Sequence, residues 1–228
     1  MTTHLLGWGS AFPPHEYTNV ELGDLVGLPN GKPARYGDML GIERRRSVFD
    51  FRSKRQTTSC DQLGSAAAHA AISHAGIDVH QIDTIITASS CFDYLFPSLS
   101  SRILKALELP SARTFDLMGG CAEFLHAVTI ADTMIAAGRA RCVLVVAAEV
   151  VTMLHAQVRF PVEYFLFGDA GAAVVLTAGD GRFELVDSWV DTRTHFEGEL
   201  LDPVVAPLLR NAGPPLFLRS AVSSPHVQ

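Results

Sequence analysis

Apolar and polar positions alternate along this chain with two different periods. Leu63, Ala66, Ala67, Ala70 and Ala71 follow helical spacing, and Gly76 ends that segment as a helix C-terminal glycine would. Other apolar runs are short, continuous and rich in β-branched residues, which is typical of buried strands. The pattern predicts strands at 4–9, 82–88, 113–117, 142–149, 172–177 and 183–190, and helices at 61–75, 97–107 and 121–137.

This order of elements predicts an α/β fold. Strands that alternate with helices indicate a layered domain in which a mixed, mostly parallel sheet is covered by helices. Residues 13–41 are rich in Pro and Gly and are predicted as loop with one helical piece at 19–26. We expect residues 1–200 to form one domain. Five prolines interrupt residues 201–228, which are either an irregular end or the start of a second half.

Composition excludes several classes of function. The chain has 228 residues and 48% hydrophobic residues, with 18 Lys and Arg against 24 Asp and Glu. This balance argues against a nucleic-acid partner, and the one basic cluster, at 43–46, is predicted as a solvated loop. No apolar run approaches the roughly twenty residues of a membrane span. The four cysteines form no CxxC pair, so neither zinc nor any other metal site is expected, and a reducing cytoplasm is predicted.

Cys121 is the candidate for chemistry. It follows Gly119 and Gly120 at the start of a predicted helix. Its helical spacing with Phe124, Leu125 and later apolar residues is compatible with a small buried core residue. A thiol in the first helical turn also lies near unpaired N–H groups, which favour the thiolate and hence a nucleophile. The glycine pair permits a sharp turn and leaves room for a substrate carbonyl beside the backbone.

Seven segments in register give the chain a resemblance to a known family. They are Leu-Gly-Ile-Glu-Arg-Arg at 40–45, Ala-Gly-Ile at 75–77, Ile-Asp-Thr-Ile-Ile at 82–86, Asp-Tyr-Leu-Phe-Pro-Ser at 93–98, Phe-Asp at 115–116 with Gly-Cys-Ala at 120–122, Leu-Val-Val at 144–146, and Leu-Phe-Gly-Asp-Ala-Gly-Ala at 166–172. From about residue 40 to 176 the chain resembles the amino-terminal half of β-ketoacyl-acyl-carrier-protein synthase III, a condensing enzyme of the thiolase superfamily. The resemblance implies a thiolase-like layered fold whose carboxy-terminal half is missing here.

The resemblance also implies roles for individual residues. Cys121 corresponds to the nucleophile that takes an acyl group from a thioester, carried by acyl-carrier-protein phosphopantetheine or coenzyme A, with no permanently bound cofactor. Phe96 corresponds to an aromatic residue that crosses a dimer interface into the partner's acyl pocket. Gly168 and Gly171 correspond to a turn beside the active site where strand and nucleophile helix pack closely, and with Gly120 they complete the expected substrate-binding set.

Departures from the family pattern leave two functions open. Glu123 stands where the family has a small residue, so it either faces outward or mutes the thiol. Met39 stands at the arginine position for the coenzyme A adenine, with Arg35 or Tyr36 at the aromatic one. The histidine and asparagine of the condensation step have no counterpart, and none of the nine histidines is expected to replace them; His155, in a loop, is the one histidine that could approach the thiol. The chain is therefore an acyltransferase half that cannot condense alone, or a non-catalytic subunit; the resemblance implies a homodimer or a heterodimer with a ketosynthase-like chain.

Overall fold

The computed structural model describes residues 1–28, 35, 37, 39–153, 163–188 and 190, which all belong to one compact unit, 1–190. The expected irregular segment 201–228 lies outside the described residues. In chain order the elements are β1 His4–Ala11, β2 His15–Thr18, α1 Asn19–Val26, β3 Arg44–Ser47, β4 Phe49–Asp50, β5 Arg55–Gln56, α2 Cys60–Ala75, a 3-10 turn Val79–Gln81, β6 Thr84–Ala88, α3 Leu99–Ala106, β7 Arg113–Leu117, a 3-10 turn Gly120–Ala122, α4 Glu123–Ala136, β8 Cys142–Glu149, α5 Glu163–Leu166, β9 Ala170–Thr177 and β10 Phe183–Glu184.

A six-stranded mixed sheet is the centre of the unit. Its strand order is β10-β1-β9-β8-β6-β7. β6 pairs in parallel with β7 and β8, whereas β8–β9, β9–β1 and β1–β10 are antiparallel. These pairings give β1, β6, β7 and β8 a common direction. The predicted α/β class, with most strands of the sheet pointing one way and helices covering it, is confirmed.

Helices cover both faces of this sheet. On one face α2 and α3 bury Leu63, Ile103 and their neighbours against Leu144 and Val146. On the other face α4 buries Ala127, Ala131 and Ile135 with inward residues of β6 and β8. Strands that are buried on both faces read as continuous apolar runs, which is why β6 and β8 were predictable from their composition.

The alanine-rich face of α2 lies unusually close to the sheet. A Cβ added at Gly9 of β1 would lie 2.4 Å from the Ala71 backbone nitrogen. A Cβ added at Gly171 of β9 would lie 2.6 Å from the Leu63 carbonyl oxygen. Real Cβ atoms do not approach backbone atoms so closely, so the small residues on both sides allow this helix to pack against β1 and β9.

Two predictions about this unit are wrong. The basic cluster is not a solvated loop, because residues 44–47 form β3 and pair with β2. Arg45 within it is only 6% exposed, and its guanidinium donates to the Phe165 carbonyl at 3.0 Å. Of the described residues in the predicted strand 183–190, only Phe183–Glu184 form a strand, and they pair with the first residues of β1.

Candidate functional site

Cys121 lies in the turn that joins β7 to α4. The helix was predicted to begin at Cys121, but α4 begins at Glu123, and the thiol lies in the middle of the preceding 3-10 turn. Its side chain is exposed. The buried-core interpretation of this cysteine is therefore wrong, because the thiol is accessible to solvent.

The other cysteines have surroundings of a different kind. Cys60 and Cys142 are buried and Cys91 is half-buried. Burial raises the pKa of Cys91 to about 12 and that of Cys142 to about 11, and it raises the pKa of Cys60 still further. These three thiols are protonated at neutral pH, which leaves Cys121 as the accessible thiol of the chain.

Two glycines shape the turn in front of the thiol. Gly120 has φ +62°, a left-handed conformation that favours glycine, and a Cβ there would meet open space. Its N–H donates to Ser90 Oγ at 3.1 Å. The start of α4 has no side-chain cap, so its first N–H groups and the positive end of its dipole lie directly after Cys121.

Glu123 faces inward and not toward solvent. Its side chain is 6% exposed. The Oε2 atom accepts hydrogen bonds from Ser90 Oγ at 2.6 Å and from the Gly119 N–H at 3.0 Å. The carboxylate that departs from the family pattern is therefore part of the structure that holds the turn.

A second carboxyl lies beside Glu123. Glu149 is the last residue of β8, and its Oε1 accepts from the Ser90 N–H at 2.8 Å. Burial, together with a hydrogen bond to the Glu123 carboxyl, raises the pKa of Glu149 to about 8. Sequence reasoning missed Ser90 and Glu149. The available signal was their position, since polar residues at the carboxyl ends of parallel strands frequently line a site.

Phe96 lies in the loop between β6 and α3. Its side chain is 81% exposed, and its neighbours Tyr94 and Leu95 are also exposed. Because β6 and β7 are parallel neighbours, this loop and the Cys121 turn leave the same edge of the sheet. Three adjacent exposed large apolar side chains are typical of a surface that contacts another molecule.

Charged residues anchor the loop that carries Phe96. Arg102 of α3 forms ion pairs with Asp61 at 2.9 Å and Asp93 at 3.3 Å, and it lies over the Tyr94 ring. At the other end, Asp116 of β7 accepts hydrogen bonds from the first N–H groups of α3. The loop is thus exposed at its centre and fixed at both ends.

Gly168 and Gly171 pack against elements other than the one expected. A Cβ at Gly168 would lie 3.1 Å from the Arg46 carbonyl oxygen, and Gly171 faces α2. The expectation that these glycines let the strand approach the nucleophile helix α4 is therefore wrong. Between them Asp169 is 2% exposed and accepts from the N–H groups of Val48 at 2.7 Å and Thr152 at 2.9 Å.

The structure describes only some of the remaining candidates. Met39 is exposed, while Tyr36 and His155 lie outside the described residues. Among the described residues no group of His, Cys, Asp and Glu side chains is arranged to hold a metal ion. Within the same residues no helix is long and apolar enough to cross a bilayer.

Comparison with known proteins agrees with the resemblance in the sequence. The family model of 3-oxoacyl-[acyl-carrier-protein] synthase III matches residues 115–193. The β-ketoacyl-[acyl-carrier-protein] synthase III of Rhodospirillum centenum is 31% identical over 194 residues, 85% of this chain and 57% of that protein. That of Rhodospirillum rubrum is 35% identical over 182 residues, 78% of this chain and 53% of that protein.

Solved structures show the same partial match. The priming β-ketosynthase of the R1128 polyketide pathway superimposes with a TM-score of 0.68 and 31% identity, over 78% of this chain and 51% of that chain. The 3-oxoacyl-(acyl carrier protein) synthase III of Pseudomonas aeruginosa PAO1 gives a TM-score of 0.67 at 26% identity, over 79% of this chain and 53% of that chain. The chain thus spans about half the length of the relatives that it matches.

Proposed function

We propose, on the premise that this chain belongs to the β-ketoacyl-[acyl-carrier-protein] synthase III family of thiolase-like condensing enzymes, that it is the thiol-bearing part of a cytoplasmic acyltransferase of fatty acid or polyketide biosynthesis. The observation that carries this proposal is the exposure of Cys121 at an uncapped helix start. The other three cysteines are shielded, and their raised pKa values keep them protonated.

The proposed reaction is acyl transfer to Cys121. Its thiolate attacks the carbonyl carbon of an acyl thioester, a new carbon–sulfur bond forms, and the donor sulfur leaves as a thiolate that takes up a proton from solvent. N–H groups at the start of α4 are the available donors for the developing oxyanion. The donor is an acyl group on acyl-carrier-protein phosphopantetheine or coenzyme A, and no permanently bound cofactor is required.

The proposed substrate surface surrounds this thiol. Gly120 leaves space on the side of the turn where a thioester carbonyl would approach. Gly168 and Gly171 would contribute to this surface indirectly, because their lack of a side chain allows the backbone there to pack closely. Phe96 would extend into the acyl pocket of a second chain, either another copy or a ketosynthase-like partner. Its 81% exposure supports a contact outside this unit.

Carbon–carbon bond formation requires groups besides the thiol. In decarboxylative condensation the extender loses CO₂, its enolate carbon attacks the acyl-cysteine carbonyl, and the cysteine sulfur is released. The resemblance implies that a histidine and an asparagine stabilise that enolate, and this chain spans about half the length of its relatives. We therefore propose that a second half would have to supply this step.

A non-catalytic role is the second candidate. Glu123 favours it, because this buried carboxyl lies two residues from the thiol, where the family pattern has a small residue. In that role the chain would complete or dimerise with an active ketosynthase-like chain. Exposed apolar side chains such as Phe96 and Leu125 agree with either role.

Intact mass distinguishes the two roles. The purified chain is incubated with acyl-coenzyme A and acyl-carrier-protein donors of several chain lengths. An acyl adduct that is lost in Cys121→Ser and kept in Cys91→Ser supports the enzyme. No adduct from any donor, together with stable association with a ketosynthase-like chain, would favour the structural role. A β-ketoacyl product from the chain alone with a malonyl thioester would contradict the proposed division of steps.

A further inference from the structure

One carboxylate holds both glycine N–H groups of the Cys121 turn. Glu123 Oε2 accepts directly from the Gly119 N–H at 3.0 Å. It also accepts from Ser90 Oγ at 2.6 Å, and the same Oγ accepts from the Gly120 N–H at 3.1 Å. Hydrogen bonds to a charged acceptor are stronger than neutral ones. The shape of the turn therefore depends on where Glu123 lies.

Glu149 restrains Glu123 from the sheet side. Its Oε1 accepts from the Ser90 N–H, while its buried Oε2 finds no donor among the described residues. The carboxyl neighbour with which it hydrogen-bonds is Glu123. Two carboxyls can bond in this way only through a proton. Since Glu123 Oε2 already accepts two hydrogen bonds, the proton belongs on Glu149, which then donates it to Glu123.

The other groups around the pair do not replace this proton. From the loop after β6 the Cys91 thiol hydrogen-bonds to Glu149, and the charge of Asp169 also acts on that thiol. From α4 itself the His126 ring lies beside Gly119. Among the described residues no lysine or arginine forms an ion pair with either carboxylate. Glu123 and Glu149 can therefore both stay inside the protein because they share a single proton.

We propose that Glu123 is a positioning residue for Cys121, held in place by the proton of Glu149, so that this acid pair fixes the Gly119–Cys121 turn and presents the thiol. The inference rests on the proposed function, since it takes Cys121 as the reacting group. It differs from the expectation that an inward Glu123 only mutes the thiol.

The pair also predicts a loss of reactivity at alkaline pH. Burial and the neighbouring Glu123 raise the pKa of Glu149, so the shared proton is lost at alkaline pH. Two adjacent carboxylates then repel each other, and Glu149 Oε2 is left buried without a donor. The turn should loosen and a second negative charge should oppose the thiolate.

The test uses iodoacetamide, which modifies Cys121 without an acyl donor. The alkylation rate of the Cys121 peptide is measured by mass spectrometry for Ser90→Ala, Glu123→Ala, Glu123→Gln and the wild type at pH 7. Removing the Glu123 carboxylate takes a negative charge away from the reacting sulfur, which by itself would raise the alkylation rate, so a fall in rate reports position. The control is Glu184→Gln, at an exposed glutamate of β10.

We expect Ser90→Ala and Glu123→Ala to react about tenfold more slowly, the effect of losing a hydrogen bond to a charged group. Glu123→Gln, which can still accept from the turn and can donate to Glu149, should stay within about threefold, as should the control. Between pH 7 and 9 the rate of the wild type relative to Glu123→Gln should fall, because only in the wild type does loss of the Glu149 proton place two carboxylates side by side.

Three results would overturn the proposal. These are wild-type rates in Ser90→Ala, a loss in Glu123→Gln as large as in Glu123→Ala, or the same pH profile in Glu123→Gln and the wild type. If Glu123→Ala does not fold, Ser90→Ala and Glu123→Gln decide. Absence of an acyl adduct would contradict the proposed function while these rates remained valid, and an adduct with unchanged rates would contradict the acid-pair proposal alone.

Discussion

Gly171→Ala tests whether the glycine turn contributes packing or substrate contact. The added methyl group would lie 2.6 Å from the Leu63 carbonyl oxygen and 2.9 Å from its carbon. Neither neighbour can yield easily, because Leu63 belongs to the backbone of α2 and β9 is held between β1 and β8. Overpacking of this kind costs about 1–3 kcal/mol. Lower entropy of the unfolded chain returns about 0.4–1 kcal/mol, so we expect a net loss of about 1–2 kcal/mol.

Urea denaturation followed by circular dichroism measures this loss. Such a loss lowers Tm by roughly 2–8 °C in a domain of this size. The matched control is Gly179→Ala, whose added Cβ would lie 3.6 Å from Thr177 Oγ1, an ordinary contact. Gly179 does not have a left-handed φ, so the control should be neutral or slightly stabilising.

Kinetics separates packing from substrate contact. If Gly171 acts through packing on α2, the substituted chain that remains folded should be acylated at Cys121 with an unchanged dependence on donor concentration. Unchanged stability would refute the steric argument. Full stability together with weaker donor binding would show instead that Gly171 contacts the substrate.

Three further predictions concern the turn, the loop and pH. Gly120→Ala should cost about 1–2 kcal/mol, because φ +62° is strained for alanine even in open space, and it should slow acylation of Cys121; urea denaturation and intact mass measure the two effects. Arg102→Met should cost about 3 kcal/mol in the same denaturation assay, because it leaves the 5% exposed Asp93 carboxylate without its cation; an unchanged midpoint would contradict this. The pKa of Glu149 is raised on folding, so its contribution to stability is full below the ordinary glutamate pKa and is lost as pH rises to about 8. The free energy of unfolding should then fall by up to about 1.4 kcal/mol per pH unit. In denaturation experiments between pH 5 and pH 9, Glu123→Gln should lose less stability than the wild type.

Long apolar elements were predictable because burial and local periodicity agree in them. β7 and β8 have the predicted bounds, and α1 and α2 agree to within one residue. β3 was missed because its charged composition is typical of a loop. Tertiary contacts decide there, since Arg45 is buried against Phe165 and β2 provides the pairing edge. No local pattern contains that information.

Within the site, the sequence predicted only those features that depend on the backbone conformation of a single residue. Gly120 illustrates this, since a glycine directly before a helix start indicates a turn, and its φ is positive. Ser90 follows the end of β6 and Glu149 ends β8, about 30 and 60 positions away along the chain from their partners. They come together because β6 lies between β7 and β8 in the sheet.

The position of Glu123 shows why charge alone does not decide reactivity. A carboxylate two residues from a thiol raises the energy of the thiolate when its field is uncompensated. Here both hydrogen bonds to Oε2 come from groups that shape the turn, and the added charge of Glu149 is neutralised by a proton near neutral pH. One negative charge therefore remains near the thiol, but the same carboxylate holds the turn in the shape that exposes Cys121. Glu123→Gln keeps the hydrogen bonds of the turn and removes the charge of Glu123, so a rate close to that of the wild type would mean that geometry, and not this charge, governs the thiol.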